Sequence, residues 1–154
     1  MSPPTPLEHY VFADIIRHAP LVSMDLIVRD TLDQVLLGLR NNAPASGKWF
    51  VPGGRIFKGE RLSEALGRVM NEELGVLDTG LEPGFIGVYD HIYDDNVFGD
   101  PDYGTHYVVL AYQLKLERMP DGLPNKQHGD YRWWPVDELL ASAEVHVYTK
   151  AYFR

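Results

Sequence analysis

Glu73 is a carboxylate on the apolar side of a predicted helix. At ~100° per residue, Leu62, Ala65, Leu66, Val69, Met70 and Leu74 fall on one broad face of residues 62 to 74. Glu73 lies in the middle of that face, one turn beyond Val69 and two beyond Leu66, with Glu72 at its edge. A buried carboxylate without a partner costs several kcal/mol, so it calls for a cation. Arg68 sits too far round the helix to serve easily. Two readings stand: the helix shifts so that Glu73 reaches solvent near its C-terminal end, or Glu73 binds a divalent metal.

The preceding Pro52-Gly53-Gly54 fits the second reading. Glycines let a backbone turn tightly and approach a ligand closely, so a carbonyl here is a candidate hard-oxygen donor. Magnesium takes few protein ligands and fills its octahedron with water and phosphate oxygens.

Elements that position these groups follow from pattern. A single domain over residues 1–154 is expected. Thr5-Pro6-Leu7-Glu8 reads as a capped helix start, with a helix over about residues 5 to 17. Leu7, Val11 and Ile15 form one stripe and Phe12 and Ile16 the other. A short helix with two apolar sides bridges two surfaces, one its own sheet and the other a partner subunit or a ligand. That is the hint of a homodimer; plain packing of Phe12 is the alternative. Strands are expected over residues 21–28, 34–40, 85–93, 106–116 and 131–134, with a short extended piece at 49–51 and a final helix that begins over 136–141. Gly75 caps the 62–74 helix. This pattern predicts an α/β (α+β) architecture, a mixed sheet sandwiched between helices.

Composition narrows the function. The net charge of −8 repels phosphate backbones, so no nucleic-acid partner is expected. No run of ~18 apolar residues suggests a membrane span. The absence of cysteine excludes disulfides, thiolate zinc sites and a cysteine nucleophile, and suits a cytoplasmic location.

With these residues in place, the stretch from Gly54 to Val76 resembles the signature of the Nudix hydrolases, G-x5-E-x7-R-E-U-x-E-E-x-G-U, where U is a bulky aliphatic. Gly54, Glu60, Arg68, Met70, Glu72, Glu73, Gly75 and Val76 match in register. Val69 stands where the signature has a glutamate, which in most of the family helps bind metal. The rest of the chain resembles one branch, the GDP-mannose mannosyl hydrolases, on PLVSMDLIV, LLGLRNNAPASGKWFVPGGR, HIYDDN, THYVVLAY, KQHGDYRW and LLASAEVH. That branch also lacks the glutamate.

The resemblance implies a Nudix fold and hydrolysis of GDP-mannose or GDP-glucose to GDP and free sugar, with water attacking the anomeric carbon and inverting it. It implies one Mg2+ per subunit, replaceable by Mn2+, held by the Gly53 carbonyl, Glu73 and Gln127. His128 would be the general base. Arg40, Arg55, Arg68 and Tyr107 would serve the pyrophosphate or hold the site. Asp25 and His91 would face the sugar, and Phe12 would stack on guanine. Glu72 would touch the metal through water or merely face solvent.

The chemistry is coherent. Metal and arginines stabilise the charge developing on the diphosphate. Inversion then needs a base on the far side of the sugar, and histidine titrates near ~6.5. Gln127 and His128 lie in PNKQHGDY, read as a flexible polar loop. On the expected strand His106 to Leu116, only one of His106 and Tyr107 can face the substrate, and Tyr107 is the choice. His9, His18 and His146 read as surface or packing residues, and Asp94-Asp95 as a solvated loop rather than a second metal site. Two rivals remain: a conventional Nudix pyrophosphohydrolase attacking phosphorus, and a non-catalytic nucleotide-sugar sensor.

Overall fold

A computed structural model describes residues 6–76, 82–121, 123 and 128–154, with only the backbone described at His128. Among them, seven strands form one mixed sheet. The order of elements is α1 (His9–His18), β1 (Leu21–Arg29), β2 (Val35–Arg40), β3 (Trp49–Phe50), β4 (Gly53–Arg55), α2 (Leu62–Leu74), β5 (Gly84–Tyr93), β6 (Thr105–Lys115), β7 (His128–Trp134), α3 (Val136–Ala141) and α4 (Val147–Lys150), closed by a 3-10 turn, Ala151–Phe153. The expected mixed sheet with helices on its faces is what forms.

β1 is the hub. It runs parallel to β6 and antiparallel to β2 and β4. Alternation along the strands splits the core into two layers. Ile27, Val35 and Leu37 face Trp134, Leu139 and Val145 on the side of α3. Leu26, Val28 and Leu36 face Val69, Met70 and Leu74 of α2. The functional ends of β1 and β4 therefore sit between two packed layers, which fixes them.

Three expectations change. The helix α1 starts at His9, not near residue 5, and its N-cap Glu8 makes no side-chain cap bond; Thr5 lies outside the described residues. The side of α1 that carries Phe12 and Ile16 is covered within the chain. Ile16 is buried, while Phe12 meets Phe98 edge-on at 5.9 Å and Arg17 pairs with Asp100 at 3.6 Å. Both partners belong to the loop between β5 and β6. That loop is not simply solvated: buried Asn96 donates to the carbonyls of Asp100 and Tyr103 and accepts from the N–H groups of Phe98 and Asp100. Asp94 and Asp95 themselves are exposed.

The third change is at Gly53-Gly54, which is not a tight turn but the strand β4. Asp25 pairs with Gly53, Met24 with Gly54 and Ser23 with Arg55. A Cβ on Gly53 would meet Asp25 Oδ1 and the Met24 carbonyl oxygen at 2.5 Å each. A Cβ on Gly54 would stand 3.2 Å from Val69 Cγ2. The glycines serve close approach of two backbones and of α2, not backbone reversal. Gly53→Ala should loosen β4 from β1 and lower stability by ~1–3 kcal/mol, read as a lower urea midpoint at unchanged slope. An unchanged midpoint would show that this contact yields freely.

Candidate active site

A cleft of about 180 Å³ opens where β1, β4, β5 and β6 meet. It brings together six of the residues singled out in the sequence: Asp25, Arg40, Gly53, Arg55, His91 and Tyr107. Tyr107 lines it, and His106 does not. Arg68, Glu73 and Phe12 are not on its wall. Phe12 lies against it indirectly, because the Arg55 guanidinium stands 4.6 Å from its ring centre. That half-buried ring beside a cleft arginine is compatible with either packing or stacking on a ligand.

Arg68 is a fastener. Its Nε donates to Glu60 Oε2 at 2.7 Å, and Nη2 donates to Glu60 Oε1 at 2.9 Å and to the Arg55 carbonyl at 2.7 Å. Nη1 donates to Glu72 at 2.9 Å, and the guanidinium lies 3.9 Å from the Phe57 ring centre. One side chain thus ties α2 to β4 and to the turn between them. Of its two expected roles, holding the site is the one that this geometry performs. Glu72 points outward, its side chain 54% exposed and paired with Arg68.

Glu60 is held below the usual carboxylate pKa, first by its hydrogen bonds from Arg68 and then by the Phe57 N–H, against the opposing effect of burial. A depressed acid stabilises the fold above its unfolded pKa, and the gain is lost as pH falls through the folded value. Glu60→Gln should therefore cost ~1–3 kcal/mol at pH 7, a difference that shrinks below pH ~4. Denaturation of both proteins at pH 7 and pH 3.5 reads it; an equal gap at both would contradict the ion pair.

Glu73 is buried at 7% exposure, on the sheet side of α2. The solvent-reaching reading is thereby corrected: Gly75 ends the helix in the left-handed region at φ 66° with Glu73 still covered. Burial pushes its pKa up to about 7, Glu72 adds to the rise, and Arg40 and Arg68 oppose it. A carboxyl so placed is poised to gain from a cation. Val69, one turn earlier, is fully buried in the apolar layer between Gly54 and the sheet. With Glu72 turned to Arg68, the helix offers one inward acid.

At the other end of the cleft, Asp25 is buried, and burial lifts its pKa to about 7 although a hydrogen bond from Tyr152 and the charge of Arg40 pull it down. His91 is 3% exposed; burial, helped by His146, lowers its pKa to about 4, so it is neutral near pH 7. Its ring stacks face to face on Tyr148 at 4.5 Å. His146 is a packing residue that also caps α4, accepting from the Tyr148 N–H at 3.1 Å. Tyr152 was not singled out in the sequence. It lies in a C-terminal segment without a motif, and only the fold brings it to Asp25.

Gln127 lies outside the described residues. His128 is not in a free loop: it opens β7, and its backbone pairs with Arg40 of β2. Gly129 follows against Asn41, whose Oδ1 would stand 2.7 Å from an added Cβ. The strand therefore leads the chain past Arg40, which lines the cleft.

Among the described residues, no group of three or more His, Asp or Glu could hold a metal ion. The residues that are present still fit a hard divalent cation: a buried carboxyl with a raised pKa, and two successive glycines in β4, which bring no side chain of their own between a ligand and the strand's carbonyls.

A NUDIX domain model matches residues 19–153. The chain belongs to the Nudix family. Its fold is the Nudix fold, a mixed sheet flanked by helices. It resembles the MutT NUDIX hydrolase of Burkholderia pseudomallei (26% identity, TM-score 0.69, 88% of this chain and 96% of that one). It also resembles the NUDIX domain of Shewanella oneidensis NrtR in complex with ADP ribose (20% identity, TM-score 0.63, 96% of this chain and 97% of that one). The low-salt glycan biosynthesis protein Agl8 of Haloferax volcanii is 46% identical over 103 residues, 67% of this chain. The match spans 64% of that relative's length. No helix among the described residues is long and apolar enough to cross a membrane.

Proposed function

We propose that this Nudix domain hydrolyses GDP-mannose, and GDP-glucose with it, to GDP and free sugar by attack of water at the anomeric carbon with inversion. The observation that carries the reading is the closed position at Val69. A fully buried valine against Gly54 leaves Glu73 as the one acid that α2 turns inward. A single acid suffices to help hold a leaving group, whereas activating water beside the metal would call for more.

The Gly53 carbonyl, Glu73 and Gln127 would hold one Mg2+ per subunit, with Mn2+ an acceptable substitute. When bound, the metal neutralises the diphosphate and makes it a better leaving group. Arg40 and Arg55 line the cleft and add positive charge where negative charge grows. Tyr107 lines the same cleft, and burial keeps its phenol protonated, so that it would donate to the diphosphate. Asp25 and the neutral His91 offer acceptors to sugar hydroxyls. Phe12 would stack on the base. His128, whose backbone opens β7 beside Arg40, would take the proton from water.

The relatives support the nucleotide-sugar class: one is named for glycan biosynthesis and another holds ADP ribose. The ADP ribose complex also favours a second reading, a domain that binds a nucleotide sugar without turning it over. A homodimer in the cytoplasm belongs to the proposal too, and elution at the monomer mass of 17.5 kDa would remove the dimer.

Turnover of GDP-mannose with magnesium in 18O-water separates these readings. Label in mannose with unlabelled GDP is expected. Label in a phosphate would place the attack at phosphorus, and no turnover would favour the binding domain. His128→Gln should lower kcat by ~10² to 10⁴-fold with magnesium affinity nearly unchanged. A loss under ~3-fold would remove His128 as base. Glu73→Gln should weaken magnesium activation; an unchanged metal titration would count against it.

A further inference from the structure

Asp25 and His91 come from different strands, and one residue from the far end of the chain joins them. The Tyr152 hydroxyl is hydrogen-bonded to Asp25 Oδ2 and stands 3.4 Å from His91 Nε2. A phenol has one proton. Given to Asp25, it leaves the Tyr152 oxygen as an acceptor, and only a protonated Nε2 can fill it.

We propose that Tyr152 is the positioning residue of this end of the cleft: it occupies Oδ2 of Asp25 and fixes the ring proton of His91 on Nε2. Two acceptors are then reserved for ligand hydroxyl groups, Oδ1 of Asp25 and Nδ1 of His91. Oδ1 is the oxygen that lies over Gly53, so it sits at the junction with the other end of the cleft. The assignment rests on the proposed function for the identity of the ligand, a sugar, but not for the hydrogen-bond chain itself.

The surroundings make the chain rigid. The Tyr152 ring is met edge-on by Tyr89 at 4.8 Å and 87°. His91 is held flat by Tyr148 at an interplanar angle of 3°. The Tyr148 hydroxyl in turn donates to the Ile92 carbonyl at 2.6 Å and accepts from the Ile92 N–H at 3.1 Å. Both tyrosines sit on the short C-terminal segment after β7, so this segment aligns the strand residues that face the ligand. The low pKa of His91 agrees, because a neutral ring has one proton and therefore a defined tautomer.

The test has two arms. In the first, the side-chain nitrogens of 15N-histidine-labelled protein are recorded by NMR at pH 7. The wild-type chain should show His91 as the Nε2–H tautomer, and Tyr152→Phe should lose that single tautomer or shift its nitrogens toward exchange averaging. A wild-type Nδ1–H tautomer, or a Tyr152→Phe spectrum identical to wild type at His91, overturns the proposal. In the second arm, Tyr152→Phe keeps the ring and should lower kcat/KM for GDP-mannose ~10- to 100-fold, the scale of one hydrogen bond to a charged group. Its binding of GDP alone should be unchanged, which a general loosening of the fold would not allow. Full activity in Tyr152→Phe overturns the proposal. If the wild-type chain does not turn over GDP-mannose, the proposed function fails while the NMR arm still decides the role of Tyr152.

Discussion

The fork of Arg68 is the constraint on which this site depends. Four hydrogen bonds from one guanidinium join α2, the turn after β4, and the Arg55 carbonyl. The pair with Glu60 is largely shielded, with side-chain exposures of 16% and 7%, so water competes poorly for it. It locks the roll of α2 against the sheet. That roll decides that Glu73 and Val69 point inward and Glu72 outward. Were the helix turned by one residue, the apolar layer would open and the buried acid would be lost.

From that fixed helix the rest follows by contact. Val69 abuts Gly54, β4 lies flush on β1, and Asp25 comes to rest over Gly53. Arg55 leaves the same strand and reaches the rings of Phe12 and Phe57. The cleft therefore has a cationic end, built from β2 and β4, and a hydrogen-bonding end without a cation, built from β1, β5 and the C-terminal turn. This division suits a ligand with a charged part and a hydroxylated part.

Legibility in the sequence tracked the range of the interactions. The helix Leu62–Leu74 was readable to the residue because its signals are local: an apolar period and a left-handed glycine cap. Alternation places β1, β2, β3, β5 and β6 to within a residue or two; it misses β4 altogether and the first three residues of β7, because neither GGR nor HGD carries an apolar period. Gly53-Gly54 is ambiguous in sequence, since a glycine pair looks the same whether it turns or packs closely. The helix α1 began later than Thr5-Pro6 indicated, as its apolar residues dock on the sheet and on the loop with Phe98 only from His9 onward. Tyr152 could not be found, because its partner Asp25 is 127 residues away. Arg68 was named but its partners were not, since side-chain direction across a turn is set by the fold.

With one inward acid on α2, the site is proposed to direct water to carbon and not to phosphorus. The anomer of the first sugar released tests this most directly. GDP-mannose carries an α-linked sugar, so inversion at carbon produces β-mannose before mutarotation. Proton NMR recorded within the first minutes of turnover should show the β-anomer leading its equilibrium share. Mannose 1-phosphate would place the attack at phosphorus, and α-mannose appearing first would rule out inversion.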